Sequence, residues 1–178
     1  MNTAPVVVEA TEARTEARTE ALADVVHREG ELLDDRRYDE WAELFTDDCR
    51  YWAPYDWYAP EPRGAMNIIY DDKARLLDRV SRLTGGDFHS QDPASHTTRL
   101  IGVVRPLADP GSWTPPGVSE AAFTASFRLT ELRREVLTEY SGRVSWWLRT
   151  ESGSPRIVAK KVQLLGANRP LANLTFPL

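Results

Sequence analysis

Apolar residues recur at helical spacing near the start of the chain. They predict an amphipathic helix of about 15 residues, because one face is apolar and the other is charged. This face comprises Leu22, Val25, Val26, Leu32 and Leu33, with Glu29 interrupting it. A second stripe predicts a short helix and comprises Tyr38, Trp41, Ala42 and Phe45. The charged residues 34–37 between the two stripes indicate a break in the chain direction.

The period of the pattern then changes from helical to alternating. Cys49, Tyr51 and Ala53 alternate before Pro54, which predicts a strand. Residues 54–64 combine prolines with aromatic side chains and indicate a loop. A third helix is predicted from about Ile69 to Leu83, because apolar residues return to helical spacing there. Two glycines at 85–86 would close it.

Strand patterns fill the rest of the chain from Ser95 onward. Residues 99–104 form an apolar run that predicts a buried strand, and residues 123–130 alternate strictly between apolar and polar. Residues 144–149 alternate as well, and a turn at 151–155 leads to further apolar runs. Helices followed by strands predict an α+β fold, with the N-terminal helices packed on a strongly curved, mainly antiparallel sheet. The chain has no βαβ alternation and no glycine-rich phosphate loop, which argues against nucleotide-binding folds.

Residues 1–20 differ from the rest of the chain. Residues 11–21 repeat Thr-Glu-Ala-Arg, which places like charges four residues apart on a helix and weakens it. We therefore predict a flexible or helical arm over residues 1–20 and a single domain over residues 21–178.

Charge and composition exclude several classes of partner. The net charge is −5, whereas nucleic-acid binding needs a surplus of basic residues. No secretion signal and no run approaching 18 apolar residues is present, so we expect a cytoplasmic protein without a membrane partner. Six Trp, six Tyr and five Phe indicate a large packed interior, a sizeable interface, or both.

The supply of metal ligands is small. A Rieske cluster needs two cysteines and two histidines, whereas the chain has one cysteine, Cys49, which is predicted to face inward as an inert thiol. A facial iron site needs two histidines and a carboxylate. The three histidines are His27, His89 and His96, and only the last two, with Asp87 and Asp92, lie close enough in sequence to be considered. They fall in a predicted loop without a ligand motif, so we predict no metal or cofactor in this chain.

Acid–base catalysis in an interior pocket is the main enzymatic alternative. A small α+β cone can bind an apolar ligand and deprotonate it with an Asp or His that a Tyr polarises. The candidates for such a pocket are Asp48, Tyr51, Tyr70 and His96. Three pairs of adjacent aspartates, at 34–35, 47–48 and 71–72, are interpreted as structural. The last pair is predicted to open the third helix, where carboxylates complement the helix dipole.

Several segments resemble one protein family in the order in which they occur. The segment ELLDDRRYDEWAELFTDD at 31–48, with YWAP at 51–54, is similar to the helix-to-strand opening of the beta subunits of aromatic-ring-hydroxylating dioxygenases. The middle segment of that family resembles IIYDD at 68–72, RVSRL at 79–83 and QDPAS at 91–95. The segment NLTF at 173–176 resembles its last strand. The resemblance spans roughly residues 22–178.

The resemblance implies both a fold and a role. The fold would be of the nuclear-transport-factor-2 (NTF2-like) or SnoaL-like kind, a cone-shaped curved sheet around helices. The chain would be a non-catalytic small subunit that trimerises and joins three large subunits in an α3β3 hexamer. The large (alpha) subunits would carry the Rieske [2Fe-2S] cluster and the mononuclear Fe(II) for dihydroxylation of an aromatic substrate. The alternative within this fold is a stand-alone SnoaL-like isomerase, dehydratase or cyclase.

We hypothesise that aromatic side chains on the surface of this chain contact other subunits. One of the neighbours Trp146 and Trp147 must face outward, because they alternate along a strand, and Trp147 is chosen. His96-Thr97 stands where the family tends to have Arg-Thr, and the loop at 56–64 is richer in proline than expected. The proposed interface residues are Trp52, Trp57, Tyr58, His96 and Trp147.

Overall fold

Helices precede most of the sheet, as predicted. The computed structural model describes residues 20–85, 93–108, 113, 115, 117–171 and 174–178. Helix α1 covers 20–34, α2 covers Tyr38–Glu43 and α3 covers Lys73–Thr84. The break between α1 and α2 lies at residues 35–37, where Arg36 has a left-handed backbone (φ 60°). Residues 1–19 lie outside the described residues, so the arm over residues 1–20 remains a prediction.

In the described part of the chain, seven strands form one mainly antiparallel sheet. The strands are β1 Phe45–Pro54, β2 Asn67–Asp71, β3 His96–Ile101, β4 Arg105–Pro106, β5 Ala121–Arg133, β6 Val136–Glu151 and β7 Ser154–Leu164. Their order is β2-β1-β7-β6-β5-β3, β4 pairs with β5, and of these described strands only β1 and β7 run parallel to each other. The predicted turn after residue 151 is confirmed: Ser152 and Gly153 join β6 to β7 with positive φ angles.

The two faces of the sheet carry two separate apolar clusters. The main core, on the inner face, joins the helices to inward residues such as Tyr51, Leu129 and Trp146. On the outer face a smaller cluster contains Trp52, Trp147 and four further buried residues. Successive strand residues point to opposite faces, which is why neighbours such as Trp146 and Trp147 fall in different clusters. The predicted packing of helices against one face of the sheet is confirmed.

The predicted start of the third helix is wrong. Residues 67–71 form β2, because β1 supplies backbone partners such as Ala53 for Ile69. The helix begins after Asp72, whose carboxylate accepts a hydrogen bond from the Arg75 N–H at 3.0 Å. Asp71 instead pairs with Arg79 at 2.7 Å. Helical spacing alone did not distinguish β2 from a first helical turn, because the strand partner lies elsewhere in the sequence.

The prediction that residues 99–104 are buried is also wrong. Strand β3 alternates between exposed and half-buried positions, and Leu100 and Val103 are 70% and 74% exposed. Among the described strands β3 pairs only with β5. The prediction that Phe45 belongs to the second helix needs a similar correction, since the residue is buried but opens β1.

No helix within the described part of the chain is long and apolar enough to cross a membrane.

Candidate functional site

A buried carboxylate lies in the main core between α1 and the inner face of the sheet. Glu29 is 2% exposed and accepts hydrogen bonds from three donors. These are the indole N–H groups of Trp41 at 2.9 Å and Trp146 at 2.7 Å, and the Lys160 ammonium at 2.7 Å. Charge-assisted hydrogen bonds of this kind are stronger than those between neutral groups. We call Glu29, Lys160 and the two tryptophans the Glu29 cluster.

Lys160 links the Glu29 cluster to the segment 174–178. Its Nζ donates to the main-chain oxygen of Leu178 at 2.5 Å and lies 5.5 Å from the ring centre of Tyr51. The Tyr51 hydroxyl donates to the same Leu178 oxygen at 3.1 Å and accepts from the Leu178 N–H at 2.8 Å. Burial lowers the pKa of Lys160 and raises the pKa of Tyr51, because both charged forms lose hydration.

A second ion pair stands beside the Glu29 cluster. The Arg99 side chain is 5% exposed and its guanidinium contacts the carboxylate of Asp34. The other Arg99 Nη atom donates to the Pro177 carbonyl at 2.5 Å. Asp34 also accepts from the Thr97 hydroxyl at 3.1 Å and from the Arg99 backbone N–H at 2.7 Å. Asp34 therefore fixes β3 to the end of α1 and has a structural role.

The space left in this interior is small. A cavity of about 20 Å³ lies among Glu29, Arg99, Trp146, Lys160 and Leu178. That volume holds about one water molecule, whereas pockets for small ligands measure about 300–1,000 Å³. The interior thus has an acid and a base in contact but no room for an aromatic substrate.

The four residues of the predicted acid–base pocket are not brought together. Tyr51 is buried against Leu178, whereas Asp48 and His96 are exposed on different strands, β1 and β3. Tyr70 is half-buried and packs against the outer-face cluster. The structure keeps these side chains apart, because alternation along the strands sends them to different faces of the sheet.

Asp48 has a structural partner instead. The Arg149 guanidinium donates to both Asp48 oxygens, at 3.0 and 2.9 Å, and also contacts Glu151. The hydrogen bond from Arg149 holds the pKa of Asp48 below its ordinary value. This pair ties β1 to β6, and its partial exposure keeps its contribution to stability small.

Metal-ligand clusters were sought in the part of the chain that the structure describes. No group of three or more His, Cys, Asp or Glu side chains in that part could hold a metal ion. His27 and His96 are both exposed, on α1 and β3. His89 and its neighbours Asp87 and Asp92 lie outside the described residues.

Cys49 is expected to be unreactive in the native protein. Its side chain is fully buried, and burial raises the pKa of the thiol to about 11, so almost no thiolate is present near neutral pH. Ellman's reagent at pH 8 should detect less than about a tenth of the thiol before unfolding and all of it in denaturant. Rapid labelling of the folded chain would show that the thiol is accessible and would contradict this placement.

Two of the five proposed interface residues are buried inside the chain. Trp52 is fully buried and Trp147 is 4% exposed. Both rings contact Trp113 edge to face, with ring centres 4.9 and 5.1 Å apart. Trp147 does face away from the main core, as alternation predicted, but Trp113 covers it. These two side chains therefore offer no exposed area to a partner and support the outer surface from beneath.

The other three proposed interface residues reach the surface. Tyr58 is 86% exposed, Trp57 is half-buried and His96 is exposed on β3. The loop around Trp57 is held to the sheet by Gln163, whose amide donates to the Trp57 carbonyl at 2.7 Å. A surface groove of about 470 Å³ runs between this loop and residues 164–168.

Sequence reasoning missed the Glu29 cluster and the Arg99–Asp34 pair. Glu29 was visible only as a charged residue in an apolar stripe, a pattern that signals a buried partner. Lys160 likewise stands in the apolar stretch 157–164. These two irregularities were the available signals, but nothing in the sequence links two positions 131 residues apart.

Comparison with known proteins gives a consistent family assignment. A family model described as ring hydroxylating beta subunit matches residues 28–168. The small oxygenase component of the p-cumate 2,3-dioxygenase system of Pseudomonas putida is 32% identical, over 87% of this chain and 84% of its own length. The 2-halobenzoate 1,2-dioxygenase small subunit of Burkholderia cepacia is 31% identical, over 78% and 83%.

Solved structures share the fold. The beta subunit of the benzoate 1,2-dioxygenase from Burkholderia mallei superposes with a TM-score of 0.66 at 22% identity, covering 90% of this chain and 96% of that chain. An NTF2-like protein with a cystatin-like fold from Novosphingobium aromaticivorans gives 0.62 at 14% identity, covering 93% of each. The NTF2-like fold predicted from the resemblance is thereby confirmed.

Proposed function

The chain belongs to the family of ring-hydroxylating beta subunits, and we propose that its role there is structural: it holds the large oxygenase subunits in place and performs no chemistry itself. The observation that carries this proposal is the filled interior. The side chains of the Glu29 cluster are hydrogen-bonded to one another, and the cavity beside them, about 20 Å³, admits about one water molecule. The family assignment favours this role over a stand-alone isomerase, dehydratase or cyclase.

The metal centres are assigned to the large subunit. A Rieske [2Fe-2S] cluster and a mononuclear Fe(II) need several cysteine and histidine ligands, whereas this chain has one cysteine and three histidines. Electrons must pass from the cluster to the iron, so the geometry between subunits must be fixed. A base of small subunits supplies that rigidity, and we propose a cytoplasmic α3β3 hexamer with a trimer of this chain. Its net charge of −5 gives no support to a nucleic-acid partner.

The surface proposed for contact with the large subunit is the groove beside Trp57 and Tyr58. Exposed Tyr and Trp side chains are enriched where proteins associate, because a rigid ring contributes large contact area at low entropic cost. Tyr55 lines the same groove, and its hydroxyl donates to the Asn168 carbonyl at 3.0 Å. The groove walls are thus fixed before a partner arrives. His96 lies on β3 and is retained as a second, separate contact.

Co-expression tests the role directly. The full chain, produced with a large subunit that carries a Rieske motif, should form a stable complex in size-exclusion chromatography. Iron and acid-labile sulfide should be found only with the large subunit, since this chain lacks the ligands. Turnover of an aromatic substrate by this chain alone, or failure to associate with any such large subunit, would refute the proposal.

The contact surface is tested by Tyr58→Ala. Because Tyr58 is 86% exposed, the melting temperature should stay within about 2 °C of wild type. Affinity for the large subunit should fall at least about tenfold, since anchoring aromatic residues contribute most of the binding energy. Leu77→Ala, an exposed apolar truncation on α3, is the matched control. Equal affinities of the two variants, measured by analytical ultracentrifugation, would remove Tyr58 from the interface.

A further inference from the structure

The segment 174–178 lies in the main core without belonging to the sheet. None of its residues is in a described strand or helix. Nevertheless Phe176 and Leu178 are each 3% exposed, and the Phe176 ring meets Tyr140 edge to face at 5.8 Å. The segment is therefore buried as deeply as a core strand but lacks strand pairing.

Side chains of the sheet bind backbone groups of its last two residues. Arg99 donates to the Pro177 carbonyl, Lys160 and Tyr51 donate to the Leu178 main-chain oxygen, and Tyr51 accepts from the Leu178 N–H. Buried backbone groups require partners, and within the body of a sheet other backbones supply them. Recognition by three side chains is instead the way in which a pocket binds a peptide ligand.

The side chains that bind this segment are held in place by other residues. Glu29 holds Lys160, and Asp34 holds Arg99. Arg99 also lines the adjoining cavity. The walls around them are apolar and include Val26, Phe127, Val144 and Val162. Fixed donors within an apolar wall form a preorganised site.

We propose that the interior of the fold is a peptide-binding cleft that residues 174–178 occupy as an internal ligand. Its ligand class is a short apolar peptide that offers two neighbouring main-chain oxygens to Arg99 and Lys160 and one N–H to Tyr51. Seating of the chain's own segment keeps other molecules out, so Lys160 is inaccessible although it is preorganised. This inference concerns the isolated chain and does not depend on its role beside a large subunit.

Residue-resolved hydrogen exchange of the full chain tests the seating. In wild type, exchange of the Leu178 amide should be at least about 100-fold slower than in an unstructured peptide. In Tyr51→Phe, which lacks the hydroxyl that accepts this N–H, it should accelerate at least about tenfold while the amides of β6 are unchanged. Exchange at the unstructured rate in wild type, or an unchanged rate in Tyr51→Phe, would overturn the proposal.

Peptide binding tests the cleft itself. In Phe176→Asp, a charge against the Tyr140 ring should displace the segment, and the acetylated amide of Leu-Thr-Phe-Pro-Leu should then bind once per chain in calorimetry. Wild type should not bind it, and adding Lys160→Met should weaken binding at least about tenfold. A variant that keeps its near-ultraviolet spectrum but binds no peptide would overturn the proposal. If Phe176→Asp does not fold, the same titration on Phe176→Ala decides, because this variant loses the ring contact with Tyr140 but keeps all three binding side chains. Binding that wild type lacks supports the cleft, and none overturns it.

Discussion

Replacing Glu29 by leucine is expected to lower the free energy of unfolding by about 3–5 kcal/mol. The carboxylate is 2% exposed and is the shared acceptor for Lys160, Trp41 and Trp146. Its removal leaves a buried ammonium without its counter-ion and two indole N–H groups without acceptors. Each unpaired group costs its full desolvation, which exceeds the gain from an added apolar side chain. Urea unfolding followed by circular dichroism gives the value.

Two controls separate this effect from a loss of helix stability. Glu31→Leu lies on the exposed side of α1 and should change the free energy of unfolding by less than about 1 kcal/mol. Adding Lys160→Met to Glu29→Leu removes the unpaired charge and should recover part of the loss, because apolar replacements of a whole buried pair are often tolerated. A Glu29→Leu variant as stable as Glu31→Leu would show that the ion pair is not formed.

Trp147→Ala is expected to destabilise the isolated chain by about 3–5 kcal/mol, which corresponds to a fall of roughly 10 °C in melting temperature. The ring is 4% exposed and packs on Trp113, which also covers Trp52. Its loss leaves a cavity beneath the outer surface. Assembly with other subunits should weaken as a consequence of lost stability rather than of a lost contact.

The comparison that decides this point is with Tyr58→Ala. Trp147→Ala should lower the melting temperature of the chain alone, measured by scanning calorimetry, and should regain assembly when the complex is formed at low temperature. Tyr58→Ala should leave the melting temperature of the chain unchanged, and its assembly should stay weak at low temperature. If Trp147→Ala kept the wild-type melting temperature while abolishing assembly, the indole would be a direct contact after all.

Local periodicity predicted much of the architecture because it depends only on neighbouring residues. Short stretches of sequence were sufficient to predict the helical stripes of α1 and α2 and the alternation in β5 and β6. They also predicted that helices precede most of the strands. Counting one cysteine and three histidines was sufficient to argue against a Rieske cluster. The resemblance to beta subunits added the family, and with it the NTF2-like fold.

What the sequence could not determine depends on residues that meet only after folding. Whether residues 67–71 form a strand depended on β1 as a partner, and whether residues 99–104 are covered depended on the position of β3 in the sheet. Trp147 faces outward as predicted, yet it is buried because Trp113 covers it.

The Glu29 cluster likewise could be predicted only in part from the sequence. A glutamate in an apolar stripe signals that some partner exists, but only the tertiary structure identifies Lys160, 131 residues away, and places residues 174–178 beside it. Buried charges and backbone groups must find partners, and which partners they find is decided by the packing of the whole chain.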